Sequence, residues 1–116
     1  MSFNKIVDRR PWGKFTQYAH NQEVTVKIIE VKPGQKLSVQ KHRKRDELWV
    51  PLDRGLYARI GEETVEMLLE HEYYIPRKTI HSVENLSPID SRFLEVSFGY
   101  FDEDDIERLE DIYGRS

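Results

Sequence analysis

The feature that most constrains this chain is a succession of short strand-like stretches separated by turn residues. They fall at 24–31, 37–40, 47–50, 56–60, 64–68, 73–75, 81–83 and 93–98, with Gly61, Pro76, Asn85 and Pro88 among the breaks. In the first of them Val24, Val26 and Ile28 alternate with Thr25 and Lys27, the period of a strand, and Lys32-Pro33-Gly34 supplies the exit turn. Short strands at this spacing predict an all-β sandwich or barrel. With 116 residues, 38% of them hydrophobic, one modest core is affordable, so a single domain over 1–116 is expected. The tail has a different character. Ile106, Leu109 and Tyr113 sit at helical spacing behind Asp102, with Glu103, Asp104 and Asp105 crowding what would be a first turn and Gly114 at the end. A short C-terminal helix is the expectation there.

Charge and cysteine content narrow the chemistry. Lys plus Arg number 18 against 21 Asp plus Glu, a net charge of −3, which argues against a dedicated nucleic-acid binder. There is no cysteine, hence no thiol nucleophile or thiolate metal site, and any metal must be held by imidazole, carboxylate or amide oxygen. The first residues lack an apolar run of signal-peptide length and nowhere do about 18 apolar residues follow one another, so no membrane span and a cytoplasmic location are expected.

The densest polar cluster is Gln40-Lys41-His42-Arg43-Lys44-Arg45-Asp46-Glu47. On a continuing strand Gln40 and His42 share a face, and a short turn brings Glu47 opposite them. His81 must arrive from a separate strand. An amide oxygen, two imidazoles and a carboxylate would suit a borderline or hard divalent ion and leave room for water or substrate. The competing reading of 42–47 is a solvated hairpin end. His20 and His71 read as surface residues, and Trp12 and Trp49 as core or rim aromatics.

Gly34, Gln40, His42, Glu47 and Gly55 resemble the first cupin motif, with Gln in place of its leading His. Pro76 through His81 to Asn85 resembles the second, with Lys78 where a Gly is usual. More specific are Arg10-Pro11-Trp12-Gly13, Val31-Lys32-Pro33-Gly34, Leu37-Ser38-Val39-Gln40, Tyr74-Ile75-Pro76, Glu103-Asp104-Asp105-Ile106 and Asp111-Ile112-Tyr113-Gly114-Arg115. Together these are similar to type II mannose-6-phosphate isomerases over about residues 9–115. The resemblance implies a cupin-type double-stranded β-helix, or jelly roll. It implies a divalent metal (Zn²⁺, Mn²⁺, Co²⁺, Ni²⁺ or Mg²⁺) lined by Gln40, His42, Glu47 and His81, and a substrate contact from Arg45.

The activity so implied interconverts mannose 6-phosphate and fructose 6-phosphate through an enediolate, in a homodimer to which Phe3, Ile6 and 98–101 contribute. Lys44, on the same strand phase as Gln40 and His42, is the candidate base. Arg43, Lys44 and Leu48 depart from the His-rich family pattern, which keeps a non-catalytic metal- or sugar-binding module as the alternative.

Overall fold

In a computed structural model, residues 5–115 are described, and they form strands and connecting turns without a helix. Phe3 lies outside the described residues. The strands are β1 (Ile6–Arg10), β2 (Gly13–Gln17), β3 (Val24–Val31), β4 (Val39–Lys41), β5 (Glu47–Pro51), β6 (Leu56–Ile60), β7 (Glu63–Glu66), β8 (Tyr73–Ile75), β9 (His81–Asn85), β10 (Ser91–Phe98) and β11 (Glu107–Glu110). All pairings are antiparallel. One sheet has the order β3-β10-β5-β8, the other β11-β4-β9-β6-β7, and β1 and β2 make a separate hairpin.

The two larger sheets enclose the core. Val31, Trp49, Ile75 and Phe93 enter it from the first sheet, Leu56, Ala58 and Val83 from the second, and Met67 completes it. The inward residues change along the strands. On β10 they run Phe93, Glu95, Ser97, on β5 Pro51, Trp49, Glu47, and on β9 Asn85, Val83, His81. The middle of the sandwich is therefore apolar, while one end presents charged and imidazole groups to each other.

Asn85 closes the far end of β9. Its Nδ2 donates to Val31 O (2.8 Å) and Ile89 O (2.7 Å), and its Oδ1 accepts from the Ser87 amide (2.8 Å) and hydroxyl (2.7 Å).

The alternation of β3 has a definite phase. Val26 and Ile28 project outward, 55% and 61% exposed, whereas Ile29 and Val31 contribute to the core and Lys27 lines a cavity between the sheets. Trp12 also faces outward, 73% exposed in the β1–β2 hairpin, so of the two tryptophans Trp49 alone is in the core.

The expected C-terminal helix is not formed. Asp102 Oδ1 does accept from the Asp104 amide at 3.0 Å, but the bond closes a turn, after which Glu107–Glu110 pairs with β4. Two physical terms favour the strand. An isolated helix this short is marginal in water, and its apolar positions Leu109, Ile112 and Tyr113 find no core, remaining about half exposed. Conversely, β4 would otherwise present an unpaired edge. Lys41 and Glu107 reinforce the pairing at 3.1 Å. Gly114 does adopt a positive φ of 75°, in a turn closed by its amide on Asp111 O.

Gly55 is the glycine that the packing requires. It has φ +102°, and a Cβ there would lie 2.4 Å from Ser87 Cβ. Replacing it with Ala combines backbone strain and overlap, so Gly55→Ala should lower unfolding free energy by at least about 2 kcal/mol in urea titration. An unchanged midpoint would contradict this packing.

Candidate metal centre

The polar end of the sandwich gathers residues that are far apart in sequence. β5 begins with Glu47, β9 begins with His81, and β4 places Gln40 opposite His81. His42 lies just beyond β4. One ligand-capable atom from each of His42, Glu47 and His81 falls within 4.8 Å of the others, and all three residues are buried.

Hydrogen bonds set the tautomer of both imidazoles. His42 Nδ1 lies 2.6 Å from Asp105 O and His81 Nδ1 lies 2.8 Å from Thr79 O, and since carbonyls only accept, each Nδ1 carries the proton. Each Nε2 then carries the lone pair: that of His42 accepts from Arg45 Nη2 at 3.1 Å, and that of His81 faces Glu47. His42 Nε2 is 3.5 Å from Glu47 Oε2, and His81 Nε2 is 3.6 Å from Glu47 Oε1. Oε1 is buried and has no hydrogen-bond donor. Oε1 and His81 Nε2 are thus two acceptors facing one another, which is unfavourable inside a protein unless a cation lies between them. The set therefore fits a divalent ion, with Nδ1 held by carbonyls in the way metal-binding imidazoles are oriented.

Arg45 supplies part of the positive charge. Its Nε donates to Glu47 Oε2 at 3.0 Å, its Nη2 to His42 Nε2 at 3.1 Å, and its Nη1 to Asp102 O at 3.2 Å, while its guanidinium lies 4.3 Å from the Phe101 ring centroid. Burial pushes the Glu47 carboxyl up, against the pull of Arg45. Burial also lowers His81 to about 4 and lowers His42, which keeps both imidazoles neutral and ready to ligate.

The acidic tail does more than fill a helix turn. Asp105 accepts from the amides of Arg43 (2.9 Å) and Lys44 (3.0 Å) through its two carboxylate oxygens and orients His42 through its carbonyl. Partial burial opposes its ionisation, and those two amides outweigh it and lower its pKa. Asp46 accepts from the Arg77 amide at 2.7 Å, and the Lys78 amide donates to His42 O, so the 42–46 loop and the 76–79 turn interlock. Lys78 sits in that turn at φ 67°, a left-handed conformation in place of the usual Gly.

A cavity of about 210 Å³ opens onto the cluster. Gln40, His42, Arg45, Glu47 and His81 line it, so five of the six residues singled out in the sequence meet there. Gln40 turns its Nε2 toward Ser38 Oγ at 3.1 Å. Lys44 is the exception. Its exposed side chain belongs to a separate groove with Lys41, Arg43 and Asp104, because the two amides bound by Asp105 break the strand before residue 44 and with it the expected phase. It is not positioned as a base for this cavity. His20 and His71 are on the surface, as expected.

Glu95 was missed in the sequence. It lies on β10 between Phe93 and Ser97, 8% exposed, lining the same cavity. Burial first, and then the charge of Glu47, raise its pKa to about 7. The available signal was a carboxylate in the same strand phase as Phe93.

The family model described as "Mannose-6-phosphate isomerase C-terminal" matches residues 3–111. The chain belongs to this family. Among relatives, it is 44% identical over 108 residues to the mannose-1-phosphate guanylyltransferase ManC of Salmonella typhimurium, covering 91% of this chain and 22% of that protein. It is 38% identical over 108 residues to the alginate biosynthesis protein AlgA of Pseudomonas aeruginosa, covering 92% and 22%. The chain thus spans under a quarter of the length of these relatives. Among solved structures, a sugar phosphate isomerase from the cupin superfamily of Silicibacter pomeroyi aligns with a TM-score of 0.61 and 19% identity, over 69% of this chain and 52% of that one. That likeness concerns the fold, a cupin double-stranded β-helix. Among the described residues no helix is long and apolar enough to cross a membrane.

The neutral state of the two imidazoles is testable. His81 has a folded pKa of about 4, below its ordinary 6.5, so the unfolded chain takes up the proton first as pH falls. Its contribution to stability is complete above pH 6.5 and is lost toward pH 4. Glu95, raised from 4.5 to about 7, has the opposite sign: its contribution is complete below 4.5 and is lost as pH rises through 7. In metal-free protein the His81 ring proton resonances should titrate near pH 4 by NMR. A midpoint near 6.5 would contradict the burial that sets up the site.

Proposed function

We propose that this domain is a metal-dependent sugar-phosphate isomerase that interconverts mannose 6-phosphate and fructose 6-phosphate. The observation that carries the reading is the buried carboxylate Glu47 facing two Nδ1-protonated imidazoles, in a domain of this family. His42, Glu47 and His81 would hold the ion, with Gln40 beside them. A divalent cation there supplies Lewis-acid polarisation of the sugar's carbonyl and hydroxyl oxygens. Arg45 orients Glu47 and His42. With Lys27, Arg108 and Arg115, which line the same cavity, it makes a positive surround for a phosphate. Trp49 and Phe101 add two aromatic faces to the same cavity.

A coupled assay for fructose 6-phosphate, using protein stripped with chelator and resupplied with Zn²⁺, Mn²⁺, Co²⁺, Ni²⁺ or Mg²⁺, tests this reading. Turnover restored by metal is expected, and His42→Ala should lose both metal and turnover. Folded, metal-loaded protein without turnover would favour the non-catalytic binding module, which the departures at Arg43, Lys44 and Leu48 suggest. A metal-free, active His42→Ala would overturn the metal mechanism.

We also propose a cytoplasmic homodimer. Lys5 and Tyr18 tie the base of the β1–β2 hairpin to Glu72, next to β8, whereas the outward residues Val26 and Ile28 lie on β3 at the opposite edge of the sheet. The hairpin exposes Ile6, Val7, Trp12 and Phe15. Each copy thus carries two uncovered apolar surfaces, and a stable interface buries about 800 Å² per partner. A second copy related by a two-fold axis covers both. Light scattering should give twice the chain mass, and Trp12→Ser with Ile28→Ser should give a folded monomer. A wild-type monomer at micromolar concentration would refute the pairing.

A further inference from the structure

The isomerisation needs a group that takes a proton from one carbon and returns it to the next. Within the cavity most polar groups are already committed. Both imidazoles donate through Nδ1 to carbonyls, His42 Nε2 accepts from Arg45 while His81 Nε2 faces Glu47, and Arg45 is also bound to Glu47 and Asp102. Lys27 lies 4.1 Å from the Phe101 ring centroid and 3.8 Å from Glu103, whose carboxylate is mostly in solvent. Glu95 alone combines burial with freedom. It is more than nine-tenths buried, it lines the cavity, and its carboxylate accepts a long hydrogen bond from Ser97 Oγ at 3.5 Å. It sits on β10 with register partners Lys27 on one side and Trp49 on the other. That places it on the wall next to Glu47, in the part of the sandwich where the inward residues turn polar.

We propose that Glu95 is the catalytic proton carrier of this domain, an assignment that rests on the isomerase reading above. The Glu95 carboxylate takes the proton from C2 of the open-chain aldose. The C–H electron pair becomes the C1–C2 double bond and the carbonyl pair moves onto O1. The O2 hydroxyl proton passes to O1, the O2 electron pair forms the new C2 carbonyl, and the double-bond pair takes the proton back from Glu95 at C1. No oxidant, reductant or second substrate is required.

Glu95→Gln preserves shape and removes the proton acceptor. With the metal-loaded protein, kcat for mannose 6-phosphate should fall by about 10²–10⁴-fold, the range general acid–base catalysis covers, while KM and bound metal stay within about twofold. Glu95→Asp, which keeps the carboxylate but draws it back, should give an intermediate kcat and keep exchanging the C2 proton with solvent deuterium, an exchange that Glu95→Gln should lose. A Glu95→Gln variant with kcat within threefold of wild type, or one that still exchanges the C2 proton, would overturn the assignment while leaving the isomerase reading intact. Metal-loaded wild-type protein with no turnover would overturn both. Loss of metal in Glu95→Gln and Glu95→Asp alike would overturn the assignment in favour of a structural role.

Discussion

The structure turns on the burial of one carboxylate. Glu47 is 1% exposed, and holding its charge away from water is costly unless positive charge or donors surround it. Arg45 satisfies one oxygen, and the other is left facing His81 Nε2 with no donor. That half-satisfied state has a chemical use, because a divalent ion is what both imidazoles and the free oxygen can bind together. The neighbouring elements serve the same arrangement. Thr79 and Asp105 fix the imidazole tautomers through their carbonyls, and Asp46 and Lys78 lock together the loop and turn that carry them.

The apolar core and this polar end are continuous. Phe93 packs edge-on against Trp49 at 5.5 Å, and Trp49 in turn packs against His81 at 5.5 Å, so the apolar core runs directly into the ligand set. Rigid strands position Glu47, His81 and Glu95, while His42 and Arg45 come from a loop held by the acidic tail. The tail is thus a wall of the site: β11 covers the edge of β4, and Phe101, Asp102 and Asp105 reach the cluster from the same segment.

Much of this was readable in the residues. Strands at Val24–Val31, Leu56–Ile60 and Tyr73–Ile75 have the bounds that their alternation and breaks suggest, and the motif spacing brought Gln40, His42, Arg45, Glu47 and His81 to one cavity. What escaped depends on non-local partners. Residues 102–113 satisfy helical spacing and N-capping locally, and only the open edge of β4 decides for a strand. Lys44 has the right phase on paper, but Asp105, 61 residues away in sequence, breaks the strand before it. The β1–β2 hairpin has no clear alternation. Glu95 hides in a segment that otherwise reads as plain strand, and its importance emerges only when Glu47 is placed beside it.

X-ray absorption on the chelator-stripped protein reloaded with one equivalent of Zn²⁺ tests the central claim most directly. The account predicts stoichiometric binding with two imidazole nitrogens and only oxygen besides, at about 2.0–2.2 Å. It also predicts loss of one imidazole from the spectrum in either His42→Ala or His81→Ala. Failure to bind a stoichiometric ion, or a spectrum without two imidazoles, would contradict it.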